Sequence, residues 1–170
     1  MRLLIVLLCG LFASIAFAQE QTTSDGRPPI ICPHGALANG LLCSGSYCDD
    51  ITMRCSPNVR DVRRIFWTPF VHRAPGSGVA ICSTEFGGTS GFVSGVACEG
   101  DWCDNVALQC TELDLFEPDF SSCFSSSWFS EEQDWQAPPT PFHFIVSMRC
   151  KDTHCDLKRM RSCRLKRREG

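Results

Sequence analysis

Gly40-Leu41-Leu42-Cys43-Ser44-Gly45-Ser46-Tyr47-Cys48-Asp49-Asp50-Ile51-Thr52-Met53-Arg54-Cys55 is the stretch that decides the fold, because its pattern returns twice. Gly95-Val96-Ala97-Cys98-Glu99-Gly100-Asp101-Trp102-Cys103-Asp104-Asn105-Val106-Ala107-Leu108-Gln109-Cys110 repeats it. Ser147 to Cys163 repeats it again through Cys150, Cys155, Asp156 and Met160, with the closing cysteine one residue late. A self-similar period of this kind marks a chain built from copies of one supersecondary unit. The copies start at Cys43, Cys98 and Cys150, 55 and 52 residues apart. Each unit is therefore long enough for about four strands with their turns.

The residues around the cysteines identify the unit. Apolar and small or polar residues partly alternate ahead of each first cysteine, in Ala36 to Leu42, Phe92 to Ala97 and Phe142 to Met148. A second alternating run follows the aspartate, clearest in Val106 to Gln109. Period-two patterning flanking a short reversal predicts a β-hairpin in each unit. Cysteines on either side of that reversal face each other at a separation a disulfide spans, so Cys43 pairs with Cys48, Cys98 with Cys103 and Cys150 with Cys155. The aspartate after each second cysteine is expected to close the turn by accepting backbone N–H bonds. The other six cysteines pair most economically within units, as Cys32–Cys55, Cys82–Cys110 and Cys123–Cys163, although spacing alone does not fix connectivity.

The amino terminus sets the compartment. Arg2, the apolar run Leu3 to Phe17 and the small residues Ala16 and Ala18 read as a signal peptide, residues 1–18, cleaved after Ala18. The alternative, a membrane anchor, needs a longer apolar run than precedes the polar Gln19-Glu20-Gln21-Thr22, and no other segment spans a bilayer. Of 13 cysteines, Cys9 leaves with that segment, and the remaining 12 pair completely. Cysteine at this density in an exported chain is a disulfide framework. The Cys-x4-Cys spacing does not suit zinc, and no metal or cofactor is expected.

Residues 19–170 then form a single all-β, disulfide-rich domain with little helix. Its three antiparallel repeats run at about 31–56, 66–111 and 122–164, with a basic tail at 164–170. Asn58 to Phe66 is the best short helix candidate, with Asn58 as its cap. Trp67 to Phe70 and Trp128 to Glu132 look like two versions of one strand preceding the hairpin. Charge is unevenly spread. Glu99 to Met148 holds ten acidic and no basic residues, whereas Arg149 to Gly170 holds nine basic and three acidic ones. A formal net charge of −3 gives no general attraction for nucleic acid. The run from Lys158 to Arg161 and the tail Arg164 to Arg168 are read as a solvated basic stretch offsetting the acidic middle. The alternatives are a patch for glycosaminoglycan or acidic protein, or a dibasic processing site after Arg167 or Arg168. No Asn-x-Ser/Thr acceptor occurs.

Cys32-Pro33-His34-Gly35, Ala38-Asn39-Gly40, and Asp49-Asp50 leading through Met53-Arg54 to Cys55 resemble a unit of the vitelline membrane outer layer protein family. Cys82, Gly91, Gly95, Asp104-Asn105, Leu108 and Cys110 keep a similar order in the second unit. The resemblance covers all three units loosely. It implies a β-prism-like body of three Greek-key sheets with within-repeat disulfides, in secreted egg-coat or extracellular proteins for which glycan-related activity is suggested. This chain departs from that pattern by its tip cysteine pairs, by few tryptophan-rich openings beyond Trp67 and Trp128, and by the displaced Cys163, for which a β-bulge is the expected accommodation.

Tyr47, Trp102 and His154 hold the same place in the three tips, immediately before the second cysteine. Such rings either stack on sugar or grip a protein, or each packs over its own disulfide. Glu131, Glu132 and Asp134 beside Trp128 and Trp135 are the minimal kit for a glycosidase-like acid pair, but carboxylates adjacent in sequence are ordinarily a solvated face. His34, His72, His143 and His154 join no nucleophile motif, and bridged cysteines leave no thiolate. The expectation is a secreted, non-catalytic extracellular protein that binds a glycan or protein partner. The alternatives are a glycan-acting enzyme and a structural coat component.

Overall fold

The structure, a computed structural model, describes residues 19–56, 61–71, 78–85 and 88–169. The expected signal peptide with Cys9, the proposed cap Asn58 and His72 lie outside these. The strands are β1 (Gln19–Thr23), β2 (Ile30–Ile31), β3 (Ala38–Ser44), β4 (Asp50–Cys55), β5 (Val62–Trp67), β6 (Val79–Ile81), β7 (Gly91–Glu99), β8 (Asn105–Leu113), β9 (Phe116–Ser125), β10 (His143–Lys151) and β11 (Leu157–Arg167). The helical pieces among the described residues are single 3-10 turns at Ser46–Cys48, Asp101–Cys103 and Thr153–Cys155. The protein is all-β and disulfide-rich, and none of its described helices is long and apolar enough to cross a membrane.

Each repeat centres on a hairpin, β3–β4, β7–β8 or β10–β11, whose inward residues alternate as the sequence does. In β4, for example, Ile51, Met53 and Cys55 are buried and the residues between them are half-buried. The sheets run β1-β4-β3, β2-β7-β8-β5 and β6-β10-β11-β9. These orders show that the units are not self-contained. β2 precedes the first hairpin in sequence but pairs with β7 of the second, Ile30 opposite Val96. β6 precedes the second hairpin but pairs with β10 of the third, Ala80 opposite Met148. Gln136, ahead of the third hairpin, closes the ring on β3 through Leu41, by hydrogen bonds of 2.8 and 3.0 Å. The first two units thus each lend a short strand to the next, and the third lends the single bridging residue Gln136 to the first. Gly95 permits the close approach, since a Cβ there would sit 2.9 Å from the Ile30 carbonyl oxygen.

The exchange gives the core layers of equivalent residues. Leu41, Val96 and Met148 from the first hairpin strands meet Met53, Leu108 and Met160 from the second. Leu37, Phe92 and Phe144 form a separate cluster, with the two phenylalanine rings edge-on at 6.1 Å. Burying each of these side chains contributes roughly 1.5–3 kcal/mol, so the ring of sheets is held by a shared core.

Six disulfides are formed, Cys32–Cys55, Cys43–Cys48, Cys82–Cys110, Cys98–Cys103, Cys123–Cys163 and Cys150–Cys155. Three close the hairpin tips. Cys32 and Cys82 lie just beyond β2 and β6, so their bridges to β4 and β8 clamp each lent strand back to its own unit. The third unit differs. Register places Pro138 where Cys32 and Cys82 stand, and Ser162 where Cys55 and Cys110 stand. Cys163, one position on, faces the Leu37 cluster and bonds Cys123 on the neighbouring strand β9. The late cysteine is thus not absorbed by an extra residue in β11. A one-residue step along a strand reverses the face. Within the hairpins the bulges lie on the first strands, at Asn39, Ser94 and Val146; β5 carries another at Arg63, and β9 a larger irregularity opposite Ser162 to Arg164.

Two other expectations are corrected. Residues 62–67 form strand β5, not a helix; a run of β-branched and aromatic side chains, Val62, Ile65, Phe66 and Trp67, favours the pleated conformation it adopts against β8. The basic stretch is not a tail. Residues through Arg167 belong to β11, which pairs with acidic β9 so that Arg164 faces Asp119 and Lys166 faces Glu117. The charge-segregated halves therefore lie side by side.

Candidate functional site

The exchange brings the three tips to one end, where the three 3-10 turns touch one another. Each tip runs Cys-x4-Cys-Asp, and two successive residues in each have left-handed backbone. The φ values are 60° and 61° at Tyr47 and Cys48, 58° and 57° at Trp102 and Cys103, and 62° and 58° at His154 and Cys155. Side-chain-bearing residues in this region cost roughly 1–2 kcal/mol each. The tip disulfide and the packed neighbours hold them there, and such outliers concentrate where a protein presents a ligand-binding group.

The left-handed turn aims each ring outward and toward its neighbours. Tyr47 is 54 % and Trp102 45 % exposed. The Tyr47 and Trp102 rings meet edge-on at 6.1 Å, and Trp102 and His154 at 5.4 Å. The rings form one cluster shared by all three units, in which each packs against a ring of another tip. His154 Nδ1 also lies 3.7 Å from Asp104 Oδ2, joining the third tip to the second.

Beneath the rings, the motif aspartates do not play the expected part. The Oδ1 atoms of Asp49, Asp104 and Asp156 are buried with no hydrogen-bond partner among the described residues. The reason is steric and local. Asp49 Oδ1 and Asp104 Oδ1 are pressed against Gly45 and Gly100, where an added Cβ would fall 1.7 and 2.1 Å away. Both glycines have positive φ, 75° and 79°, and Asp152 takes the same place in the third tip with φ 67°. Desolvation raises the Asp156 carboxyl above the usual carboxylate range, against the pull of His154 and Lys158.

Lys158 was invisible as a site residue because it opens a run of basic residues. Its side chain is fully buried, and Nζ donates to the carbonyls of Cys155 (2.9 Å) and Cys48 (3.3 Å). Burial pushes its ammonium down to about 8, opposed by Asp156, Glu131 and Asp49.

Beside the ring cluster a shallow depression of about 510 Å³ is lined by Ser24, Asp25, Asp49, Asp50, Asp101 and Trp102. Its carboxylates accept hydrogen bonds and the indole offers a flat apolar face. No three His, Cys, Asp or Glu side chains converge as metal ligands among the described residues. Glu131, Glu132 and Asp134 are exposed around the turn at 131–133 and line none of the depressions described here. Their neighbouring tryptophans are engaged by cations, Trp135 by Arg54 at 4.2 Å and Trp128 by Lys151 at 5.9 Å and Arg159 at 6.0 Å. His143 is buried and bonded to Thr140 (2.6 Å) and the Ser122 carbonyl (3.0 Å), and His34 is exposed.

No family model, curated protein or solved structure matches this chain.

Proposed function

We propose that this is a secreted, disulfide-stabilised binding protein, non-catalytic, which holds an extracellular glycan or protein through the joined tips. The observation that carries this reading is the Tyr47–Trp102–His154 cluster, two exposed rings and a half-buried imidazole fixed by left-handed turns at the meeting point of three cross-linked hairpins. Rings ordered before binding lose little entropy when a ligand arrives, which is the advantage of a rigid aromatic platform. A sugar suits it well: a pyranose C–H face stacks on the indole while Asp25, Asp50 and Asp101 accept from its hydroxyls.

Export is supported by the disulfide density, six bridges among the described residues. The threefold repeat, the within-unit bridges and the cyclic lending of strands support a β-prism-like architecture and a distant kinship with the vitelline membrane outer layer proteins. The test is binding of the oxidised chain to an array of unsulfated glycans and to extracellular-matrix proteins freed of glycosaminoglycan. Trp102→Ala is expected to abolish binding and Glu131→Gln to leave it intact. Binding unaffected by Trp102→Ala, or turnover of chito-oligosaccharides lost in Glu131→Gln, overturns the proposal.

A further inference from the structure

The outer face of the third sheet carries a feature that the tips do not explain. A groove of about 400 Å³ runs across β6, β10, β11 and β9, between Val79 and Ile81 on one side and Ser125 on the other. Arg149, Arg159 and Arg161 project into it, with Ser147 between them. Arg149 lies directly opposite Arg159 in the β10–β11 register, and Arg161 opposite Ser147. Like charges facing each other across a strand pair destabilise a sheet. Only Arg161 meets an acid among the described residues, Glu85 at 3.7 Å. Arg159 spends its Nε on the Ser126 carbonyl (2.8 Å), which orients its fork beside Trp128 and leaves it without an acidic partner among the described residues. Lys151 extends the row at an exposed position beside Trp128.

We propose that this groove is a second binding site, for a sulfated polysaccharide. Guanidinium forks bind sulfate and carboxylate groups bidentately, and their mutual repulsion is relieved when an anion bridges them. Adjacent strands are about 4.8 Å apart and alternate residues about 6.8 Å apart, so the cations form a grid over which several anionic groups of one chain are read together. Ile81, 40 % exposed, and Val79 give the sugar ring an apolar edge, and Ser125 and Ser147 supply hydroxyls. The tip end, with Asp25, Asp50 and Asp101 around Trp102, repels such a ligand, so the two sites are chemically distinct. A protein of formal net charge −3 has no general affinity for polyanions, which makes retention by one a local property.

The experiment is salt elution of the full disulfide-bonded chain from immobilised heparin, with affinity measured by titration. Arg149→Gln/Arg161→Gln is expected to weaken binding about tenfold or more, consistent with loss of two charge-assisted contacts. Arg27→Gln/Arg63→Gln, which removes the same charge from exposed positions elsewhere, is expected to change it little. Trp102→Ala is expected to leave heparin binding unchanged, which separates this site from the tip platform. An unchanged thermal midpoint in the groove variant shows that its fold persists. Equal loss in both double variants, equal affinity for desulfated heparin, or equal affinity for duplex DNA or polyglutamate overturns the proposal.

Discussion

Lys158, in the third repeat, donates from Nζ to the carbonyl oxygen of Cys48, in the first, at 3.3 Å. A fully buried cation thereby ties together two tips 110 residues apart in sequence, with Asp156, Glu131 and Asp49 favouring its charge. Its pKa falls from 10.5 to about 8 because burial opposes the charged form.

The pH dependence follows from the sign of that shift. Between about 8 and 10.5 the unfolded chain keeps the proton that the folded chain has released, so stability rises with pH across this window. The desolvation cost is fully present below the lower value, and its relief is on the order of 3 kcal/mol. Denaturant unfolding at several pH values is expected to show this rise in the native protein and its loss in Lys158→Met. A rise of equal size in both assigns it to other groups.

The tip glycines give an opposed pair of expectations. Gly100→Ala places a Cβ 2.1 Å from Asp104 Oδ1 at φ 79° and is expected to destabilise by about 2 kcal/mol or more. Asp152, with φ 67° at the equivalent place, already bears the left-handed cost. Asp152→Gly is therefore expected to be neutral or to stabilise by up to about 1 kcal/mol. Urea midpoints at constant slope decide both, and a destabilised Asp152→Gly contradicts the proposed equivalence of the tips.

The three seams differ in strength. The Cys32 and Cys82 amides donate to the Ser94 and Val146 carbonyls at 2.8 and 2.9 Å, beside their clamping disulfides. Pro138 at the third seam has no N–H to give and no bridge. Native-state hydrogen exchange is expected to find the Gln136 amide less protected than those of Cys32 and Cys82. Equal protection at all three means the bridges do not set seam strength.

These seams also mark where the sequence stops being legible. The hairpins and their tip bridges follow from Cys43, Cys48 and Asp49 and their counterparts, because spacing and period-two patterning are local signals. Strand lending is not local: nothing in Ile30-Ile31 or Val79 to Ile81 states which hairpin they join, and burial against a neighbouring unit looks the same as burial within one. Lys158 is hidden for a related reason, since a basic run names no partner until the tips converge, and the burial of the Asp156 carboxyl depends on that same convergence. Tyr47, Trp102 and His154 were recognisable as equivalent positions, but their mutual contact depends on the ring of sheets. Arg149 and Arg159 became a site only once register set them opposite each other.

The convergence of the tips is open to a direct measurement, because the chain has a single tyrosine. In a two-dimensional NOE spectrum of the oxidised protein, the Tyr47 ring protons are expected to show cross-peaks to the Trp102 indole, and the indole to the His154 ring, matching centroid separations of 6.1 and 5.4 Å. A folded protein in which Tyr47 sees only residues of its own hairpin would contradict the shared platform.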